Sequence, residues 1–238
     1  MVTSLQPFRD HTRCTALSGV LRGRLCEQLA QRPARHFAPD RYLYLIGDRA
    51  RSVFLLRSGL VKTSVLADSG DELILRVCRP GDVFGELCFC TGERREQAMA
   101  LEPSEVVEIP FEELVGRLRA DSQALFDFLA LVCERLAEAN ERLQSLSFDL
   151  TLERLVRALL KLADELGEGA PGRGDLAIGH YIKQADLARL IAARREVVST
   201  LLNQLRERGL VSYPRKGRIR VDRDALRSYL HSIGAHRD

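Results

Sequence analysis

No stretch of this 238-residue chain is apolar for long enough to span a bilayer, so membrane-spanning helices are not expected. The N-terminus (MVTSLQPFRDHTRC) lacks the charged-then-apolar order of a secretory signal, and a cytoplasmic location is the expectation. The six cysteines stand at positions 14, 26, 78, 88, 90 and 133. None forms a C-x-x-C pair, and no Cys/His group has zinc-finger spacing. Most are therefore expected to be reduced thiols filling apolar space, with no metal site. No nucleophile–base set stands out, which argues against an enzyme. Internal repeats and low-complexity tracts are also lacking. What remains is the mixed composition of a soluble protein, 45% hydrophobic and 29% charged, long enough for one large domain or two small ones.

Glycine and proline are missing from residues 125–146, and there the chain shows its most regular pattern. Leu129, Val132, Leu136, Ala139, Leu143 and Leu146 recur at alternating steps of three and four, about three heptads of an a/d seam. Glu134, Arg135, Glu138, Glu141 and Arg142 fill the flanks. So narrow an apolar stripe on so charged a helix suits a second copy of itself, and a homodimer is expected. Asn140, beside the seam, is placed to fix register or to touch a ligand.

Before this helix the texture is β-like. A short amphipathic helix is expected over residues 17–31, begun by Ser18, and then come the runs RYLYLIG, SVFLLRSG, LVKTSVL, ELILRVC and EVVEI. Asp68-Ser69-Gly70-Asp71 marks a hairpin, and Pro80-Gly81-Asp82 and Pro103-Ser104 add breaks. Many short strands at regular spacing indicate a barrel or sandwich. Pro110 opens a short helix (FEELVGRL), and Asp121 or Ser122 caps the long one. The seam stops near Phe148-Asp149, and Thr151 starts a new helix, LERLVRALLKLADEL. The expected division is 1–120, 121–148 and 149–238. Residues 167–179 are Gly-rich and read as a loop with room for a short strand.

Charge divides unevenly. From His180 to Asp238 there are thirteen Lys and Arg against six Asp and Glu, a net +7, which leaves −4 for the rest of a chain whose total is +3. A basic C-terminal segment suits a polyanion. The pattern QADLARLIAARREVVSTLLNQLRERGLVSYP reads as helix (Gln184–Ala192), tight turn, helix (Arg195–Arg208), then a basic two-stranded wing and a last helix, Arg223–His231. Leu187, Leu190, Ile191, Val198, Leu201, Leu202 and Leu205 form the expected shared core. That leaves Arg194, Arg195, Glu196, Ser199 and Thr200 exposed near the start of the second helix. A helix in the DNA major groove reads bases with such residues: Arg pairs with guanine and Glu accepts from cytosine. Arg215, Lys216 and Arg218, on the wing, suit phosphates.

This order of elements resembles the family of the cAMP receptor protein and the fumarate–nitrate reductase regulator, over roughly residues 20–230. Arg195-Glu196 matches that family's recognition pair, whereas Ala192-Ala193-Arg194 departs from its usual turn and the second Arg usual near Thr200 is absent. Residues 79–87 (RPGDVFGEL) resemble the phosphate-binding cassette of cyclic-nucleotide domains. The resemblance implies an α+β chain: a cyclic-nucleotide-binding-like β-roll, a long dimerisation helix and a C-terminal winged helix-turn-helix. It implies a homodimeric transcription regulator, activator or repressor, on double-stranded DNA with two half-sites, with RNA polymerase as a further partner. Effector contacts would fall at Gly85, Glu86, Leu87, Arg94, Arg95 and Asn140, with Glu86 on a ribose hydroxyl and Arg94 on a cyclic phosphate. Arg95 replaces the family's Ser or Thr, and Ala139-Asn140 replaces the hydroxyl pair at the adenine. A double Arg suits a ligand with more negative charge, and a cyclic mono- or dinucleotide is the expected effector class. Two alternatives remain open: a redox or cofactor sensor using Cys78, Cys88 or Cys90, and a ligand-independent regulator.

Overall fold

The computed structural model describes residues 32–89, 91–168, 175–178, 180, 182–213 and 218–234. The helix expected over 17–31, Cys14, Cys26, Cys90, most of the Gly-rich loop, and Arg215 and Lys216 of the wing lie outside the described residues.

Eight antiparallel strands form two sheets. β1 (Arg35–Phe37), β8 (Ser104–Pro110), β3 (Ser52–Ser58) and β6 (Val83–Phe84) make one. β2 (Tyr42–Tyr44), β7 (Gln97–Ala100), β4 (Val61–Leu66) and β5 (Glu72–Cys78) make the other. Strand β3 shows why the two pack. Its side chains alternate, as a pleated strand requires. Phe54 and Leu56 enter an apolar cluster with Tyr44, Val61, Phe84 and Ala98 of both sheets. Val53 and Leu55 enter another that is closed by Leu114 and Leu118. Those two leucines belong to helix α1 (Phe111–Ala120), which follows Pro110 directly. The β4–β5 hairpin forms where the turn residues predict it: Gly70, at φ 85°, donates to the Ala67 carbonyl and Leu66 pairs with Glu72.

Helix α2 (Ser122–Phe148) is the long one, about 40 Å at the usual rise per residue. Asp121 caps it by accepting from the Gln123 and Ala124 amides, a contribution of about 1 kcal/mol. On a single chain its apolar stripe has no cover: Leu129, Val132, Leu136 and Leu143 are exposed, Leu136 at 63%. Leu146 is half-buried. Ala139 and Leu146 also line the cavity described below.

The C-terminal module holds α3 (Thr151–Leu166), α4 (Gln184–Leu190), α5 (Arg195–Glu207) and α6 (Arg223–Gly234). A small sheet accompanies them, in the order β11 (Val211–Ser212), β12 (Arg220–Asp222), β10 (Asp175–Ile178), β9 (Gly167–Glu168). Helix α4 stops two residues before the expected end, because Ala192 takes a left-handed φ of 52° to turn the chain into α5. For an alanine that conformation costs on the order of 1–2 kcal/mol. Helix α6 continues three residues past His231. Leu187, Ile191, Val198, Leu202 and Leu205 are buried as expected, with Leu190 and Leu201 packed against them.

The module is docked on the roll. Leu60, between β3 and β4, is fully buried in the C-terminal apolar cluster, and Val77 and Leu101 pack against it. Beside this contact Lys62 of β4 is only 1% exposed. Its Nζ donates to Glu72 at 3.0 Å and to Asp186 of α4 at 3.1 Å. Arg189 pairs with the same two carboxylates at 3.1 and 3.3 Å. Lys183–Asp40 and His180–Glu102 tie the rim.

Candidate effector cavity and nucleic-acid interface

Strand β6 ends at Phe84, and Gly85 turns the chain at φ 81° into the single 3-10 turn Glu86–Cys88. A Cβ on Gly85 would lie 2.8 Å from Arg94 Nη1 and 3.2 Å from the Phe54 ring, so only glycine fits. The cause of this crowding is Arg94, which is 4% exposed. Its Nη1 donates to the Gly85 carbonyl (2.9 Å) and Cys88 Sγ (3.0 Å), and its Nη2 to the Ser52 carbonyl (2.8 Å). The guanidinium lies over the Tyr44 and Phe54 rings, 4.3 and 5.0 Å from their centroids. Arg94 thus supports the cassette from beneath and does not face the space in front of it. Its neighbour Arg95 is exposed and lines no part of that space, and neither does Asn140.

That space is a cavity of about 790 Å³. Roll, long helix and C-terminal module all contribute to its wall. Glu86 and Leu87, both expected in the site, line it, whereas Glu96, Arg76, Arg135 and Arg142 line it without having been singled out as ligand residues. Glu96 directly precedes β7. It is buried and accepts a hydrogen bond from the Tyr44 hydroxyl at 3.0 Å. Burial, then the Glu86 carboxylate, pushes its pKa up to about 7. It therefore presents the cavity with a carboxyl group divided between neutral and charged forms near neutral pH.

Most of the cations in the wall are paired. Arg135 reaches from α2 to Glu86 (3.6 Å), Glu138 (3.3 Å) and the Val83 carbonyl (3.5 Å), joining the cassette to the long helix. Arg76 faces Asp82 at 3.3 Å, Arg157 faces Asp149 at 3.0 Å, and Lys161 faces Glu138 at 3.3 Å. Among the thiols of the redox reading, Cys78 is fully buried and Cys88 nearly so. Burial pushes the Cys78 pKa up to about 12 and raises that of Cys88 despite Arg94, so both hold their protons at neutral pH.

The second candidate surface is the start of α5. Arg194 precedes the first turn, and Arg194, Arg195, Glu196 and Thr200 are exposed, with Ser199 half-buried. The Thr200 hydroxyl donates back to the Glu196 carbonyl at 3.0 Å. Val197 is also exposed on this turn, at 40%, a position to which the helical spacing alone assigns no role in reading DNA. An apolar side chain there suits the thymine methyl group. The wing is fixed to this helix: the Tyr213 hydroxyl donates to Asn203 at 2.8 Å, and Arg206 covers the Tyr213 ring. Opposite the exposed turn, Val198, Leu202 and Leu205 anchor α5 in the core. Among the described residues no helix is long and apolar enough to cross a membrane.

Comparison with known proteins identifies two domains. Residues 34–121 match the cyclic nucleotide-binding domain and residues 153–229 the Crp-like helix-turn-helix domain. The chain is 31% identical over 190 residues to the anaerobic regulatory protein of Bacillus subtilis, an overlap of 78% of this chain and 79% of that one. It is 32% identical over 178 residues to the cyclic AMP receptor protein of Thermus thermophilus, covering 74% and 78%. A solved CRP-family transcriptional regulator from Thermus thermophilus has the same fold, with a TM-score of 0.70 at 26% identity over 83% of this chain and 96% of that one. This chain therefore belongs to the CRP/FNR family of DNA-binding transcription regulators, which are not enzymes, with an effector-binding cyclic-nucleotide-type domain joined to a Crp-like helix-turn-helix.

Proposed function

We propose that this regulator is a cytoplasmic homodimer that binds two DNA half-sites and changes its DNA affinity when a small anionic effector enters the cavity. In this reading the sensor module reaches residue 120, the dimerisation helix spans 121–148, and the DNA-binding module starts at 149. The observation that carries the proposal is the composition of the cavity wall. Glu86 and Leu87 of the cassette, Ala139 of the long helix and Leu190 of the DNA-binding module face one space, so an occupant touches sensor, dimer axis and reader together. About 790 Å³ admits a cyclic mono- or dinucleotide, and a relative carries the name cyclic AMP receptor protein. Arg94 is already bound within the roll, so the charge partner of an anion falls to other cations. The buried, protonated Cys78 and Cys88 give the redox alternative no support. RNA polymerase is a further proposed partner.

Two experiments test this reading. Leu136→Glu places like charges across the seam of α2 and is expected to give monomers in light scattering at micromolar concentration. A dimer that persists there removes the seam as the interface. Arg195→Ala is expected to cost roughly 1–3 kcal/mol on the cognate site and to relax preference at one base of each half-site. Lys216→Ala should weaken all sequences alike and reduce the salt dependence by about one unit. Binding-site selection on both variants checks the pair. An unchanged motif with Arg195→Ala and an altered one with Lys216→Ala would reverse the assigned roles.

A further inference from the structure

Arg142 stands where three elements meet. From α2, its Nη1 donates to the Leu75 carbonyl of β5 at 2.9 Å, and its Nη2 to the Leu190 carbonyl in the last turn of α4 at 2.6 Å. Carbonyl groups satisfy hydrogen bonds without supplying a countercharge. Burial lowers the arginine's pKa, with no carboxylate acting to raise it. A cation taken out of water without an acid partner is costly, and proteins ordinarily pair it. Arg154, in the first turn of α3, likewise has no carboxylate partner among the described residues. Its Nη2 donates only to the Thr151 hydroxyl at 3.3 Å, and its Nε is buried with no partner. Both arginines line this cavity, whose other cations are largely taken up by the pairs described above.

We propose that Arg142 and Arg154 form the anion seat of the cavity, for a phosphate or carboxylate group of a small ligand, and that the incoming anion competes with the Leu190 carbonyl for Arg142. The inference rests on the effector reading above and adds to it where the charge goes. A guanidinium makes charge-assisted bonds to phosphate or carboxylate that are about twice as strong as those to neutral acceptors. Drawing Arg142 toward such a group loosens the tie between α2 and the C-terminal turn of α4, the first helix of the DNA-binding motif. Ligand charge is thereby coupled to the position of the reader through one side chain. The size of the cavity leaves room for the ligand's body between this seat and Glu86 of the cassette.

The test titrates pyrophosphate, cyclic AMP and glutarate into the full-length protein at constant ionic strength, following thermal stability and DNA affinity. At least one of the three anions is expected to bind the unaltered protein saturably. Arg142→Gln and Arg154→Gln should each weaken that binding at least tenfold. Arg142→Lys, which keeps charge and bulk and so guards against a folding defect, should retain part of it. Arg95→Gln should leave it unchanged, and the DNA affinity of Arg142→Gln should stop responding to the anion. Equal anion affinity in Arg142→Gln and the unaltered protein, loss in Arg95→Gln instead, or no saturable binding of any probe overturns the seat. Binding lost in Glu86→Ala but kept in Arg142→Gln preserves the effector cavity while overturning the seat. Site-specific DNA binding without any anion reports on the regulator reading separately.

Discussion

Lys62→Ala is expected to lower stability by about 3–5 kcal/mol, the usual effect of removing one partner from a buried ion pair. The truncation leaves Glu72 and Asp186, both at hydrogen-bond distance from the lost ammonium, facing each other between the roll and α4. Arg189 stays with both carboxylates, but it is partly exposed and compensates only in part. Ser64 keeps its 2.7 Å hydrogen bond to Glu72. Because the pair joins β4 to the helix-turn-helix, the loss should appear twice, as a lower urea midpoint and as faster proteolysis between the modules. The double variant Lys62→Met, Asp186→Leu should recover much of the stability, since apolar replacement of a whole buried pair is often neutral. An unchanged urea midpoint in Lys62→Ala would show that the network contributes nothing. The same site has an acid dependence. Burial alone would raise the Glu72 pKa, but the Ser64 hydroxyl, Lys62 and Arg189 bring it below the ordinary value. A depressed carboxyl pKa means that its stabilisation is present above that ordinary value and is lost as pH falls through the lower, folded-state one.

Glu96→Gln carries the second large effect, and its sign is opposite. Folding raises the Glu96 pKa from an ordinary 4.5 to about 7. The protonated form is therefore the one that folding favours. Its contribution is complete below about pH 4.5 and is lost as pH rises through about 7. The full difference is about 3 kcal/mol at roughly 1.4 kcal/mol for each unit of pKa. Glutamine imitates the neutral acid and still accepts from Tyr44. The variant should therefore match the unaltered protein at pH 4.5 and exceed its stability by up to about 3 kcal/mol at pH 8. Urea unfolding across that range checks it. Parallel pH profiles for the two proteins would mean that Glu96 is already ionised throughout.

How much of this was legible in advance differs from one element to the next. The β4–β5 hairpin, the Asp121 cap, the start of α1 after Pro110 and the end of α2 at Phe148 are local events. Each depends on turn chemistry, a capping side chain or a broken periodicity, all within a few residues. The core of α4 and α5 followed from helical spacing in the same way. The exposure of the start of α5 was equally legible, because it is the complement of a buried stripe on one helix.

The cavity was not legible, because its wall is assembled from residues far apart in the chain. In Glu93-Arg94-Arg95-Glu96 four charged residues stand in a row, and nothing local says which turns inward. Pairing decides it: the Arg94 amide donates to the Asp48 carbonyl and Gln97 opens β7 opposite Ser64, so Arg94 and Glu96 point in and Arg95 out. Arg94, the expected phosphate partner, is thereby packed beneath the cassette, and Glu96 lines the cavity. Nothing within the run VKTSVL marks Lys62 as buried, and it is α4 that brings Asp186, 124 positions later, against it. Arg142 reads as a charged flank of a dimer helix until β5 and α4 bring two carbonyls to it. The sequence by itself determined the elements, the core stripes and the exposed face of α5, since these depend on periodicity within single segments. Only the tertiary structure decided which charges are buried and what they face, because burial of a charge is set by whichever distant segment excludes water from it.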